Sequence, residues 1–165
     1  SAVGTRMQEY YRFPEVLPAV RNMIRLRYAL LPYLYSEFMK AALENTSYFR
    51  PLAFDYPDDP DAREVEDQLL LGEGLMAAPV YVQNAHGRHV YLPESMKLLR
   101  LRAVDDYDEE ILPANNTSEL DDASLTLWSF LPDGESAEYR MYRDDGVTTE
   151  YEKKEHWKTL QIHHS

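Results

Sequence analysis

Residues 66–82 read EDQLLLGEGLMAAPVYV, and the chain changes character inside them. Up to Leu71 the run reads as the end of a short helix beginning near Asp61, with Asp59 or Asp61 as N-cap and Gly72 or Gly74 as stop. Beyond it, LMAAPVYV, GRHVYLPE, KLLRLRAVDDYD, SLTLWSFL, SAEYRMYRD and KTLQIH are short runs rich in β-branched, aromatic and aliphatic residues. Turn signals NAHG, PDG and DDG separate them. Alternation in AEYRMY and TLQIH gives each strand one wet face. The chain therefore reads as α+β, helical to about Gly74 and antiparallel β after it.

Upstream, Val20, Ile24, Tyr28, Leu31, Tyr35, Phe38 and Ala42 step by three or four, which predicts one long amphipathic helix from Pro14 to about residue 45. Pro32 lies inside it. A proline there removes one backbone donor and crowds the carbonyl of Tyr28, so a kink or restart is expected near Leu31 at a cost of about 3 kcal/mol. Asn45, Thr46 and Ser47 supply stop chemistry.

The chain has 165 residues, 44% hydrophobic and 28% charged, enough for a sizeable core in one large domain or two small ones. Its net charge of -12 repels polyanions, so no nucleic-acid partner is expected. No apolar run approaches membrane-spanning length, and no signal-peptide pattern opens the chain, so no membrane partner is expected. Without cysteine there is neither a disulfide nor a thiolate metal site, which fits a reducing, cytoplasmic setting.

Asp55, Asp59, Asp61 and Glu66 fall at the first, fifth, seventh and twelfth places of an EF-hand-like loop. However, Pro60 stands where the sharp turn needs glycine and Pro57 where a ligand is needed, so a capped, solvated turn is expected and no metal site. His86 and His89 are three apart across a turn and have no third ligand. The acid pairs Asp105 with Asp106, Glu109 with Glu110, Asp121 with Asp122, and Asp144 with Asp145 do not make a hydrolase dyad. Adjacent acids on a strand point to opposite faces, and in a loop they are solvated. The sequence Asp144-Asp145-Gly146 reads as a hairpin turn. Thirteen tyrosines could stack on sugars, but their spacing reads mainly as core. The residues alone contain no self-contained catalytic constellation and imply no cofactor.

Six runs in order carry more: GTRMQE (4–9), IRLRYALLPYLYSEF (24–38), FRPLAFDYP (49–57), EDQLLLGEGLMAAPVYV (66–82), GRHVYLPE (87–94) and MYRDDG (141–146). Together they resemble the C-terminal third of glycoside hydrolase family 31, the α-glucosidase and α-xylosidase group. The resemblance implies an α+β fragment, the final helix region of a (β/α)8 barrel followed by antiparallel β-sandwich segments. Residues 1–75 would end the barrel, 76–115 would form an incomplete proximal sandwich, and 116–165 would belong to a distal sandwich.

The same resemblance implies a retaining hydrolase of α-linked oligosaccharides. Its aspartate nucleophile lies in a tryptophan-x-aspartate-methionine-asparagine run that this chain lacks, so no catalytic residue carries over. The partner implied is the remainder of the same enzyme, barrel and N-terminal domain. Arg6, Gln8 and Glu9 would sit in the loop nearest the pocket, as candidate substrate-binding residues. Pro32 would bend the long helix along the barrel wall. A non-catalytic carbohydrate-binding or interaction module is the alternative.

Overall fold

The computed structural model describes residues 9–96, 131, 134–150 and 154–163. The chain divides into two compact units, residues 1–31 with 100–129, and residues 32–99 with 130–165. A short 3-10 turn at Tyr10–Arg12 in the first unit precedes helix α1, Leu17–Glu44, whose residues from Pro32 onward belong to the second unit. The expected restart at Leu31 does not occur, because α1 continues unbroken through Pro32. The proline removes one donor from a 28-residue ladder, and the bonds on either side are enough to carry the helix across.

Helix α1 ends as its sequence predicts. Asn45 takes the left-handed conformation with φ 54°, and the Thr46 amide reaches back to the Ala41 carbonyl at 2.9 Å, the six-to-one bond of a Schellman motif. No helix among the described residues is long and apolar enough to cross a membrane.

The second unit begins its sheet earlier than the sequence suggests. Strand β1 (Phe49–Pro51) leads into two short helices, α2 (Leu52–Asp55) and α3 (Pro60–Glu64), followed by β2 (Leu69–Leu71) and β3 (Leu75–Ala77). The three strands form an antiparallel sheet in the order β1-β2-β3. Asp59 caps α3 by accepting from the amides of Asp61 at 3.0 Å and Ala62 at 3.1 Å.

The helix expected to reach Leu71 stops at Glu64, and Leu69–Leu71 forms the central strand. Three leucines suit either element, and pairing with strands on both sides decides for β. Gly72, at φ 66°, is therefore a residue of the β2–β3 turn and not a helix stop. Leu52, Ala62 and Leu70 form the buried centre of this region, with Tyr56, Val65, Met76, Tyr91 and Met96 packed around them.

GRHVYLPE forms no strand. The buried side chain of Gln68 takes the place of a neighbouring strand, accepting from the Tyr91 amide at 2.7 Å and donating to its carbonyl at 2.8 Å. KLLRLRAVDDYD, and SLTLWSFL apart from Leu131, lie outside the described residues. The runs SAEYRMY and WKTLQIH pair as an antiparallel sheet of β4 (Ser136–Tyr142) and β5 (Trp157–His163). Asp144-Asp145-Gly146 opens the connection between them, which runs over residues 143–156 and is not a tight hairpin.

Candidate functional site

On α1, Tyr33, Ser36, Glu37 and Lys40 recur at helical spacing and share one face. Glu37 is only 3% exposed. Its Oε1 accepts from Lys40 Nζ at 2.8 Å and from the Tyr139 hydroxyl at 2.9 Å, and its Oε2 accepts from the Glu73 amide at 3.3 Å. The Tyr33 hydroxyl donates to the Leu71 carbonyl at 2.7 Å and accepts from the Gly74 amide at 2.9 Å. Tyr33 and Tyr139 stack with centroids 5.8 Å apart, and Lys40 Nζ sits 4.4 Å from the Tyr139 centroid. One helical turn away, Ser36 Oγ donates to the Pro32 carbonyl at 2.7 Å and accepts from the Tyr142 amide at 2.9 Å.

Burial, with the Glu37 charge reinforcing it, raises the Tyr139 phenol far above its ordinary value. Burial also pushes Tyr33 up to about 12, against the lowering effect of the Gly74 hydrogen bond. Both phenols are therefore donors at neutral pH. Glu37 already holds three donors and is shut off from solvent, so it cannot reach a substrate proton. The cluster clamps α1, the β2–β3 turn and β4 together.

A second cluster borders an open cleft lined in part by Glu64, Glu66, Asp67, Tyr81, Arg88 and His89. Tyr91 donates its hydroxyl to Asp59 Oδ2 at 2.8 Å, and this bond, followed by the Ala62 amide, holds the Asp59 carboxyl below the usual range. Arg88 holds Asp67 low in the same way. Asp55 is engaged by the Arg50 fork at 2.7 and 2.8 Å. No group of three or more His, Asp or Glu among the described residues could hold a metal ion.

Of the residues expected near a pocket, Arg6 and Gln8 lie outside the described residues. Glu9 precedes the 3-10 turn, where its carbonyl accepts from the Arg12 amide at 2.9 Å. The pairs Asp105 with Asp106, Glu109 with Glu110, and Asp121 with Asp122 also lie outside.

Asp144 and Asp145 are turn builders. Asp144 accepts from the Tyr35 hydroxyl at 2.9 Å and the Gly146 amide at 3.0 Å, while Asp145 accepts from the amides of Val147 at 3.0 Å and Thr148 at 2.9 Å. The Thr148 and Val147 amides hold Asp145 below the usual carboxylate range. The roles of Glu37 and Gln68 escaped the sequence reading. The available signal for Glu37 was an acid within the apolar repeat of α1, one turn before a lysine.

Comparison with known proteins agrees with the motifs. The model of the glycosyl hydrolases family 31 TIM-barrel domain matches residues 1–37, and that of the glycosyl hydrolase family 31 C-terminal domain matches residues 45–162. Alpha-glucosidase 2 of Bacillus thermoamyloliquefaciens is 29% identical over 92% of this chain and 22% of its own length. Lysosomal alpha-glucosidase of Bos taurus is 43% identical over 48% of this chain and 9% of its own length. A Flavobacterium johnsoniae GH31 dextranase complexed with glucose superposes with a TM-score of 0.65 at 22% identity, over 96% of this chain and 23% of that one. The chain thus spans 22% of that Bacillus alpha-glucosidase and 23% of the dextranase chain.

Proposed function

Because the chain belongs to glycosyl hydrolase family 31, we propose that it is the C-terminal portion of a retaining, α-glucosidase-like enzyme acting on α-linked oligosaccharides. The observation that carries this reading is the order of the two family matches, barrel and then C-terminal domain, on a chain about a fifth as long as the relatives. Retention requires two carboxyl groups about 5 Å apart, one forming a glycosyl-enzyme ester and the other acting first as acid and then as base. Among the described residues, Glu37, Asp55, Asp59, Asp144 and Asp145 are committed to structural hydrogen bonds. With no tryptophan-x-aspartate-methionine-asparagine run in this sequence, the two catalytic carboxyls are assigned in this reading to the rest of the enzyme.

The chain's own contribution is structural. In this reading it supplies the closing helix of the barrel and the sheets that follow it in sequence, with Arg6, Gln8 and Glu9 expected on the loop nearest the pocket. The partner is the remaining barrel, which would cover Tyr10, Tyr11, Phe13, Val16, Met23 and Ile24, all exposed on the first unit. Two measurements test the reading. The coding sequence preceding Ser1 should specify a barrel with a tryptophan-x-aspartate-methionine run, and the 165-residue chain alone should not turn over an aryl α-glucoside. An initiator methionine close upstream, or turnover by the chain alone, would overturn it.

A further inference from the structure

The Tyr81 ring is 70% exposed, yet it is tethered at its tip. Its hydroxyl donates to Asp67 Oδ2 at 3.2 Å, and Arg88 grips the same carboxylate through Oδ1. The guanidinium also donates to the carbonyls of Asp67 and Pro79, each at 3.0 Å, and to that of His89 at 3.1 Å. One cation thus ties together three pieces of irregular backbone and fixes a flat aromatic face beside the cleft. Glu64, Glu66 and His89 complete the polar side of that cleft.

Charge decides what could bind there. Three carboxylates against one guanidinium leave the lining negative, and the guanidinium is already occupied, so an anion is disfavoured. Asp67, held ionised by Arg88, remains an acceptor at neutral pH. A fitting ligand is neutral, carries several hydroxyl donors for the carboxylates and offers an apolar face to the ring. A pyranose has all three properties.

We propose that the Tyr81 cleft is a non-catalytic binding site for a neutral oligosaccharide, a surface foothold separate from the place of hydrolysis. The choice of a sugar rests on the reading of the chain as part of a glycosidase. The two can nevertheless fail separately, since binding is measured here without any turnover.

The test is an amide-resolved NMR titration of the 165-residue chain with maltotriose, with trigalacturonate as an anionic control. Maltotriose should produce saturable shifts confined to residues 64–68, 81 and 88–91, and trigalacturonate should not. Tyr81→Ala should weaken binding by about tenfold, as expected for loss of one aromatic contact, while Tyr81→Trp should preserve it. The dispersion of the same spectra reports whether each variant is folded. Absence of saturable shifts, an equal response to the anion, or unchanged affinity in a folded Tyr81→Ala variant would overturn the proposal. Hydrolysis of maltotriose by the chain would instead count against the placement of the catalytic carboxyls elsewhere.

Discussion

At Gly72 two demands meet in one residue. Its φ of 66° is in the left-handed region, and a Cβ there would lie 2.4 Å from both Glu37 Cγ and Oε2. Gly72→Ala should therefore destabilise the second unit by roughly 2 kcal/mol or more, through backbone strain and displacement of the carboxylate, read as a lower urea midpoint. Glu37 itself admits a graded test. Glu37→Gln keeps the shape but sets an amide against donors on every side, at a cost of about 1–3 kcal/mol. Glu37→Ala leaves the Tyr139 hydroxyl and the Glu73 amide without their acceptor and Lys40 with only Glu73 Oε2 at 3.8 Å, and should cost more, about 3–5 kcal/mol in the same measurement. Equal midpoints for the two variants would contradict the clamp.

Among the elements, α1 was the most legible, because its apolar repeat extends over many turns and its stop at Asn45 is a local matter of left-handed geometry. What propensity misjudged at Pro32 was the restart, since α1 continues through it. A local rule counts the lost bond and the clash, whereas the long ladder on either side absorbs them. Pro32→Ala restores a donor for the Tyr28 carbonyl and should raise stability by about 1–3 kcal/mol with unchanged helix content by circular dichroism. A fall in melting temperature would mean that the proline serves the packing of α1 within this chain. The leucines of β2 were misread for the opposite reason, since their state depends on strands distant in sequence. Gln68 imitating a strand edge for Tyr91 left no periodic trace at all. The Asp59 cap, in contrast, was legible from three residues.

For the whole molecule, the titrating groups bracket a stability plateau. Tyr33, Tyr35 and Tyr91 are each pushed up to about 12, whereas an unfolded phenol ionises near 10. Their contribution is complete below about pH 10 and is lost as pH rises toward 12, because the unfolded chain releases these protons first. Asp59, Asp67 and Asp145 are held low, so their contribution is present above about pH 4 and disappears as pH falls below it. Melting temperature should therefore fall on both flanks, with the alkaline loss coinciding with phenolate absorbance. The exposed side chains from Tyr10 to Ile24 predict that the isolated chain binds an apolar dye, and that adding the rest of the enzyme suppresses the signal.

The Glu37 clamp also sets an order of events at the ribosome. Glu37 and Ser36 find Tyr139 and Tyr142 only 102 and 106 residues later in the chain. At about 5–20 residues per second, the nascent helix waits roughly 5–20 s before its last partners are made. Throughout that interval a carboxylate destined for burial has no cover from β4. A message truncated before Ser136 would make the wait permanent, leaving a product marked for chaperones and proteases by the same residue that seals the finished fold.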